Sequence, residues 1–189
     1  MGNFSFKWPY YIDYTNDWLI HDFTLAEIKT LKRKQRFNFR NQMLNGIFDF
    51  MTLNETIDLM LKMQKESPNS FDVKNKKFPP GLYMETKHYQ WYKDNYNLDF
   101  AQILHGHLKA YGLDTVEKAT SKLPIVIECF EPDSLKNFSM LSDLPVVLLM
   151  DGDMQKYMKL DDIEKYAHGI GPWVHSLFDQ NFLGEAQKR

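Results

Sequence analysis

Three short apolar runs most constrain the fold of this chain. They are Gly81–Lys87, Pro124–Phe130 and Pro145–Met150, and stretches long enough for helices separate them. Each run has strand length and opens at Gly or Pro, which break helices. Between the first two, Ala101, Leu104, Leu108 and Tyr111 recur at helical spacing over Leu98–Tyr111, and Gly112 follows as a terminator. Between the second and third, Pro132 opens a short helix reaching Leu141. A further short helix over Leu160–Tyr166 and a fourth strand over Ala167–Gly171 extend the alternation. Strand and helix in alternation mean an α/β chain with a parallel sheet and crossover helices. Periodicity leaves open whether that sheet is doubly wound or part of a closed barrel. Pro145–Met150 is apolar throughout, as expected of a strand buried on both faces.

Upstream, two helices announce themselves through their caps. Thr24-Leu25-Ala26-Glu27 and Thr52-Leu53-Asn54-Glu55 each place a hydroxyl three residues before a carboxylate, the pattern of a capping box. Leu25, Ile28 and Leu31 give the first helix an apolar face; Leu53, Ile57, Met60 and Leu61 do so for the second. Residues 1–23 read as an irregular aromatic segment, 67–80 as a Pro-rich loop and 184–189 as a polar tail, which leaves 24–183 as the folded domain.

Composition excludes several classes. At 43% hydrophobic and 25% charged, the chain suits one globular domain. A net charge of −2 sets up no strong field toward nucleic acid or an acidic membrane. Cys129 is the sole cysteine, so no intrachain disulfide forms. The N-terminus lacks a basic start followed by an apolar run, so no signal peptide is expected, and no apolar run reaches membrane-spanning length. Neither observation assigns a compartment.

Four segments, in order, carry a resemblance. Asp22–Arg40, with its Lys-Gln-Arg-Phe core, resembles the linker of eukaryotic-type glycerophosphodiester phosphodiesterases. Gly81-Leu-Tyr-Met-Glu-Thr-Lys87 resembles that family's strand ending in Glu-x-Lys. Ile127-Glu-Cys-Phe-Glu-Pro-Asp-Ser-Leu135 is similar to its strand and turn of the form I-Q-S-F-x-P-x-S-L, and Gly169-Ile-Gly-Pro-Trp173 to a later segment. The resemblance implies a partial (β/α)8 barrel, strands four to seven with their helices. It also implies hydrolysis of glycerophosphodiesters to glycerol 3-phosphate and an alcohol, a reaction of lipid and glycerol metabolism, with a divalent cation, Mg or Ca, as cofactor.

Residue by residue, the resemblance makes Glu85 a metal ligand. Alternation puts Tyr83, Glu85 and Lys87 on one face of their strand and Val126, Glu128 and Phe130 on one face of the next. Lys87, Glu128 and Phe130 are therefore the expected substrate-binding residues, with Lys87 positive toward the phosphate. Glu128 stands where the family has Gln, and Cys129, in a Ser position, is read as a small buried residue. The family's His-Arg-Gly strand, its Glu-x-Asp pair and its catalytic His-Asp turn have no counterpart among these residues. His21-Asp22 belongs to the linker instead; His105 and His107 point apart on one helix. Asp151-Gly152-Asp153 begins like a calcium loop and lacks its remaining ligands, and Lys32-Arg33-Lys34-Gln35-Arg36 reads as a solvated structural run. The expectation is a chain inactive by itself, with no catalytic residue of its own, no nucleic-acid partner and a complementing barrel half to finish the site. The alternative is a non-catalytic half-barrel that binds or scaffolds.

Overall fold

The structure is a computed structural model that describes residues 19–66, 80–152 and 158–188. Expectations for residues 1–18 and 67–79 lie outside these. The described chain divides into two compact units, split between Leu59 and Met60.

In the first unit, helix α1 (Leu25–Thr30) and the start of helix α2 (Leu53–Glu66) both carry the expected capping boxes. The Glu27 amide donates to Thr24 Oγ1 at 3.3 Å, and the Thr24 amide to the Glu27 carboxylate at 2.8 Å. The Glu55 amide likewise donates to Thr52 Oγ1 at 3.2 Å, and the Thr52 amide to the Glu55 carboxylate at 2.7 Å. The cap bond and the Thr24 hydroxyl hold the Glu27 carboxyl below its usual range; the Lys29 ammonium, then the Thr52 amide, does so for Glu55. Between the helices, Lys32 and Asp49 form an antiparallel bridge and an ion pair. Ile57 is the one fully buried residue among residues 19–59.

The second unit is built on four parallel strands: β1 (Leu82–Glu85), β2 (Ile125–Cys129), β3 (Val146–Met150) and β4 (Gly169–Pro172). Their order in the sheet is their order in the chain, and the sheet is open, with β1 and β4 at its edges. Gly81 immediately precedes β1, where Pro124 O would lie 2.6 Å from any Cβ, so a glycine is needed for the two segments to approach.

The crossovers contain more helix than the spacing predicts. Helices α3 (Tyr89–Tyr96), α4 (Phe100–Tyr111) and α5 (Val116–Lys122) lie between β1 and β2; α6 (Pro132–Ser139) follows β2 and α7 (Leu160–Ile163) follows β3. Helix α4 matches its expected face, with Ala101, Leu104 and Leu108 buried, and Gly112 closes it at φ 62°. Helix α8 (Gln180–Ala186) takes in the start of the expected polar tail.

Burial of the sheet is one-sided. Ile125, Ile127 and Cys129 of β2, with Val146, Leu148 and Met150 of β3, are all nearly inaccessible. Helix α6 packs against β2, β3 and α4, and contributes Leu135 and Phe138 to this core. The alternate residues Val126, Glu128, Val147 and Leu149 are only partly covered. The run Pro145–Met150 is thus apolar on both faces without being fully buried on both. Part of the reason lies in β4. Leu149 Cδ2 lies 2.7 Å from where a Cβ on Gly171 would be, and Val147 lies close to Gly169, so both side chains lean over bare backbone.

Candidate functional site

The parallel register sets Glu85 directly opposite Glu128 and Tyr83 opposite Val126. Alternation then puts Tyr83, Glu85 and Glu128 on the partly covered face, away from the helix-packed Ile127 and Cys129. Lys87, two residues beyond Glu85, donates from Nζ to its carboxylate at 2.7 Å. The Tyr83 hydroxyl and the Glu128 carboxyl lie close enough to interact. Four of the singled-out side chains therefore meet at the carboxyl end of β1 and β2. Phe130 is half-buried just past the end of β2, and alternation gives it the side of Glu128.

The electrostatics of this cluster follow from two carboxylates on adjacent strands. Partial burial, with the nearby charge of Glu85, pushes the Glu128 carboxyl up, although the Tyr83 hydroxyl and the Lys87 ammonium pull the other way. Burial and the Glu128 charge push the Tyr83 phenol up to about 12, so it stays a hydrogen-bond donor at neutral pH. The Lys87–Glu85 pair involves a largely exposed ammonium, and such pairs contribute only about 0–1 kcal/mol.

A stability test follows from Glu128. Its folded-state proton affinity lies above the value of 4.5 taken for the free group. Below that pH the carboxyl is neutral in both folded and unfolded chains. As pH rises through the raised folded value, the unfolded chain loses the proton first, and stability drains away. Glu128→Gln lacks this loss. Urea denaturation from pH 4 to pH 8 should show the variant gaining on the parent as pH rises; parallel curves would refute it.

The turn after β1 is bolted to the turn after β2. The Thr86 amide donates to Glu128 O at 3.1 Å, the Cys129 thiol donates to Thr86 O at 3.0 Å, and the Thr86 and Ser134 hydroxyls lie 2.9 Å apart. Cys129 is accordingly buried on the helix side, and burial pushes its thiol up, so it is no nucleophile. His88 follows at φ 57°, left-handed backbone that a non-glycine adopts only under constraint. The constraint is Glu131: its carboxylate accepts the Tyr89 amide at 2.7 Å and the Gln90 amide at 2.9 Å, capping α3 from across the turn.

Sequence reasoning passed over both His88 and Glu131. His88 is half-buried beside Lys87; burial, then the Lys87 ammonium, lowers its imidazole pKa, while the Glu85 charge opposes. Its position directly after Glu-x-Lys was the available signal. The other singled-out histidines have different settings. His21 lies 4.0 Å from Asp22 in a short 3-10 turn, and His105 and His107 are on α4. His168 accepts the Val146 amide at 3.3 Å and ties β3 to β4. Asp151 and Gly152 follow β3, with the Trp173 ring against Gly152; Asp153 lies outside the described residues.

A hard divalent cation takes six or more oxygen ligands. Glu85 and Glu128 offer two carboxylates, one already held by Lys87, and among the described residues no three acidic, His or Cys side chains converge. The described residues do not by themselves fit a complete cation site.

Comparison with known proteins places these residues in context. Residues 12–182 match the Glycerophosphoryl diester phosphodiesterase family. The chain is 30% identical over 175 residues to the glycerophosphodiester phosphodiesterase GDPD6 of Arabidopsis thaliana; the match covers 85% of this chain and 45% of that protein. The chain thus spans less than half the length of this curated relative.

Proposed function

Since this chain belongs to the glycerophosphoryl diester phosphodiesterase family, we propose that its sheet forms four consecutive strands of a (β/α) barrel, whose carboxyl ends take part in binding a glycerophosphodiester. Strand order supports the barrel reading. A doubly wound sheet reverses its order at a switch point, whereas β1 to β4 follow in sequence. Burial confined to the Ile127 and Leu148 side agrees with helices on one side and a site on the other.

On this reading Lys87 leaves Glu85 for the phosphate oxygens, with Tyr83 and Phe130 beside the bound diester. Glu85 is then one oxygen donor toward a Mg or Ca ion whose remaining ligands come from a complementing barrel half. Glu128 holds the Tyr83 hydroxyl in place; unprotonated, it also opposes an anion. The single observation carrying the proposal is the meeting of Glu85, Lys87, Tyr83 and Glu128 on the face away from the helices. Hydrolysis to glycerol 3-phosphate and an alcohol then belongs to the completed barrel, because two carboxylates cannot hold the cation.

The purified chain should therefore give no turnover of glycerophosphocholine with added magnesium or calcium. Clear turnover, abolished by Glu85→Ala, would show that the site is already complete. The non-catalytic reading rests on Glu128: two acids face the place where an anion would lie. Glycerophosphocholine binding measured by calorimetry separates the two. Weak binding strengthened by Glu128→Gln supports the phosphodiester pocket, and its absence in both proteins favours the scaffold.

A further inference from the structure

Charge in this chain is segregated. Residues 31–51 hold Lys32, Arg33, Lys34, Arg36 and Arg40 against one acid, Asp49, a net of +4 in a chain whose total is −2. The remaining residues therefore carry −6. The low net charge that argued against any strong field averages over this asymmetry.

The segment is pinned at its base. The Arg33 amide donates to Phe48 O at 2.8 Å, the Gly46 amide to Arg33 O at 3.0 Å, and the Gln35 amide to the Asn45 side chain at 2.6 Å. Gly46 turns at φ 76°, in the left-handed region that favours glycine. Not one residue from 31 to 51 is buried. Phe39 and Met43 are 84% and 83% exposed, and Ile47 and Phe48 are more than half exposed. Phe37 stacks on Phe39 with ring centroids 5.4 Å apart, while the Arg36 and Arg40 guanidiniums lie 5.1 and 5.2 Å from the Phe37 centroid. A held loop that mixes exposed large apolar side chains with unbalanced cations requires an explanation.

We infer that residues 31–51 are a docking surface for an anionic phospholipid membrane. The protruding Phe39 and Met43 would enter the boundary between headgroups and acyl chains, while the arginine and lysine heads stay at the phosphates. Charge complementarity selects this occupant, since the inner surfaces of anionic bilayers attract clustered Lys and Arg. Nucleic acid fits less well. Single-stranded binding stacks successive bases on aromatic faces, yet Phe37 is engaged by Phe39 and two guanidiniums, and the most exposed side chains include the ringless Met43 and Ile47 beside Phe39 and Phe48. A second copy docking on the same patch would bring two +4 surfaces together. This inference does not depend on the phosphodiester site.

Co-sedimentation of the full chain with vesicles tests it. Binding to mixed phosphatidylcholine–phosphatidylglycerol vesicles is expected, with little to phosphatidylcholine alone and less at high salt. The triple variant Lys34→Gln, Arg36→Gln, Arg40→Gln should lose roughly a hundredfold in affinity, at about 1 kcal/mol per charge. Phe39→Ser with Met43→Ser, at sites too exposed to disturb folding, should lose roughly tenfold. Failure to bind, binding indifferent to phosphatidylglycerol, or full binding by the Phe39/Met43 variant would each overturn the inference. So would a single-stranded oligonucleotide that binds more tightly than the vesicles and displaces them.

Discussion

Phe138→Ala is expected to destabilise the folded chain by about 3–5 kcal/mol, a large share of what a domain of this size typically has. The ring is 2% exposed on α6, which packs against β2, β3 and α4, so the void would open where three elements meet. Leu135 of α6, Leu108 of α4 and Leu148 of β3 are themselves almost wholly enclosed and fixed in helices or a strand, which limits collapse into the gap. Phe138→Leu keeps most of the volume and should cost less than half as much. Urea unfolding followed by circular dichroism measures both; equal, small shifts in midpoint would mean that α6 is not the centre of the core.

Glu131→Ala is the second large effect, at about 2–5 kcal/mol. It removes two charge-assisted hydrogen bonds, each worth about 1.5–3 kcal/mol, and leaves the Tyr89 and Gln90 amides without their acceptor. Burial pushes the Glu131 carboxyl up, against the pull of those amides, so part of the loss is returned by relief of desolvation. Helix α3 has no cap of its own, because His88 at its head makes no side-chain cap bond. Its first turn should fray, and the left-handed turn carrying Lys87 and His88 should loosen with it. Amide exchange at Tyr89, Gln90 and Trp91 would report this. Unchanged protection there would show that the turn holds itself.

The same residue explains why the sequence announced some helices and not others. Helices α1, α2 and α4 declare their starts locally: Thr24, Thr52 and Asp99 cap amides two or three residues away. The cap of α3 is 42 residues distant from Tyr89, so nothing local marks Tyr89–Tyr96 as a helix. Helix α5 has Thr115 as its cap, but Lys118 stands where a capping box would place an acid, and the Val116 amide is taken by Asp143. Asp179 capping Asn181 and Phe182 was a legible signal for α8, obscured by Gly184 within the helix.

The candidate site was legible to the extent that it rests on alternation. Period two placed Glu85 with Tyr83 and Lys87, and Glu128 with Val126. Pairing across the strands was not legible, since register depends on Gly81 meeting Pro124 and Thr86 meeting Glu128. Opposition of Glu85 and Glu128, and with it the raised Glu128 carboxyl, emerges only once that register is set.

Strands that lie side by side in chain order also govern how such a sheet comes into being. When β2 leaves a ribosome, β1 is already there to receive it, and β3 and β4 then add at the growing edge. No strand must wait for a distant one, so assembly can proceed by accretion during synthesis.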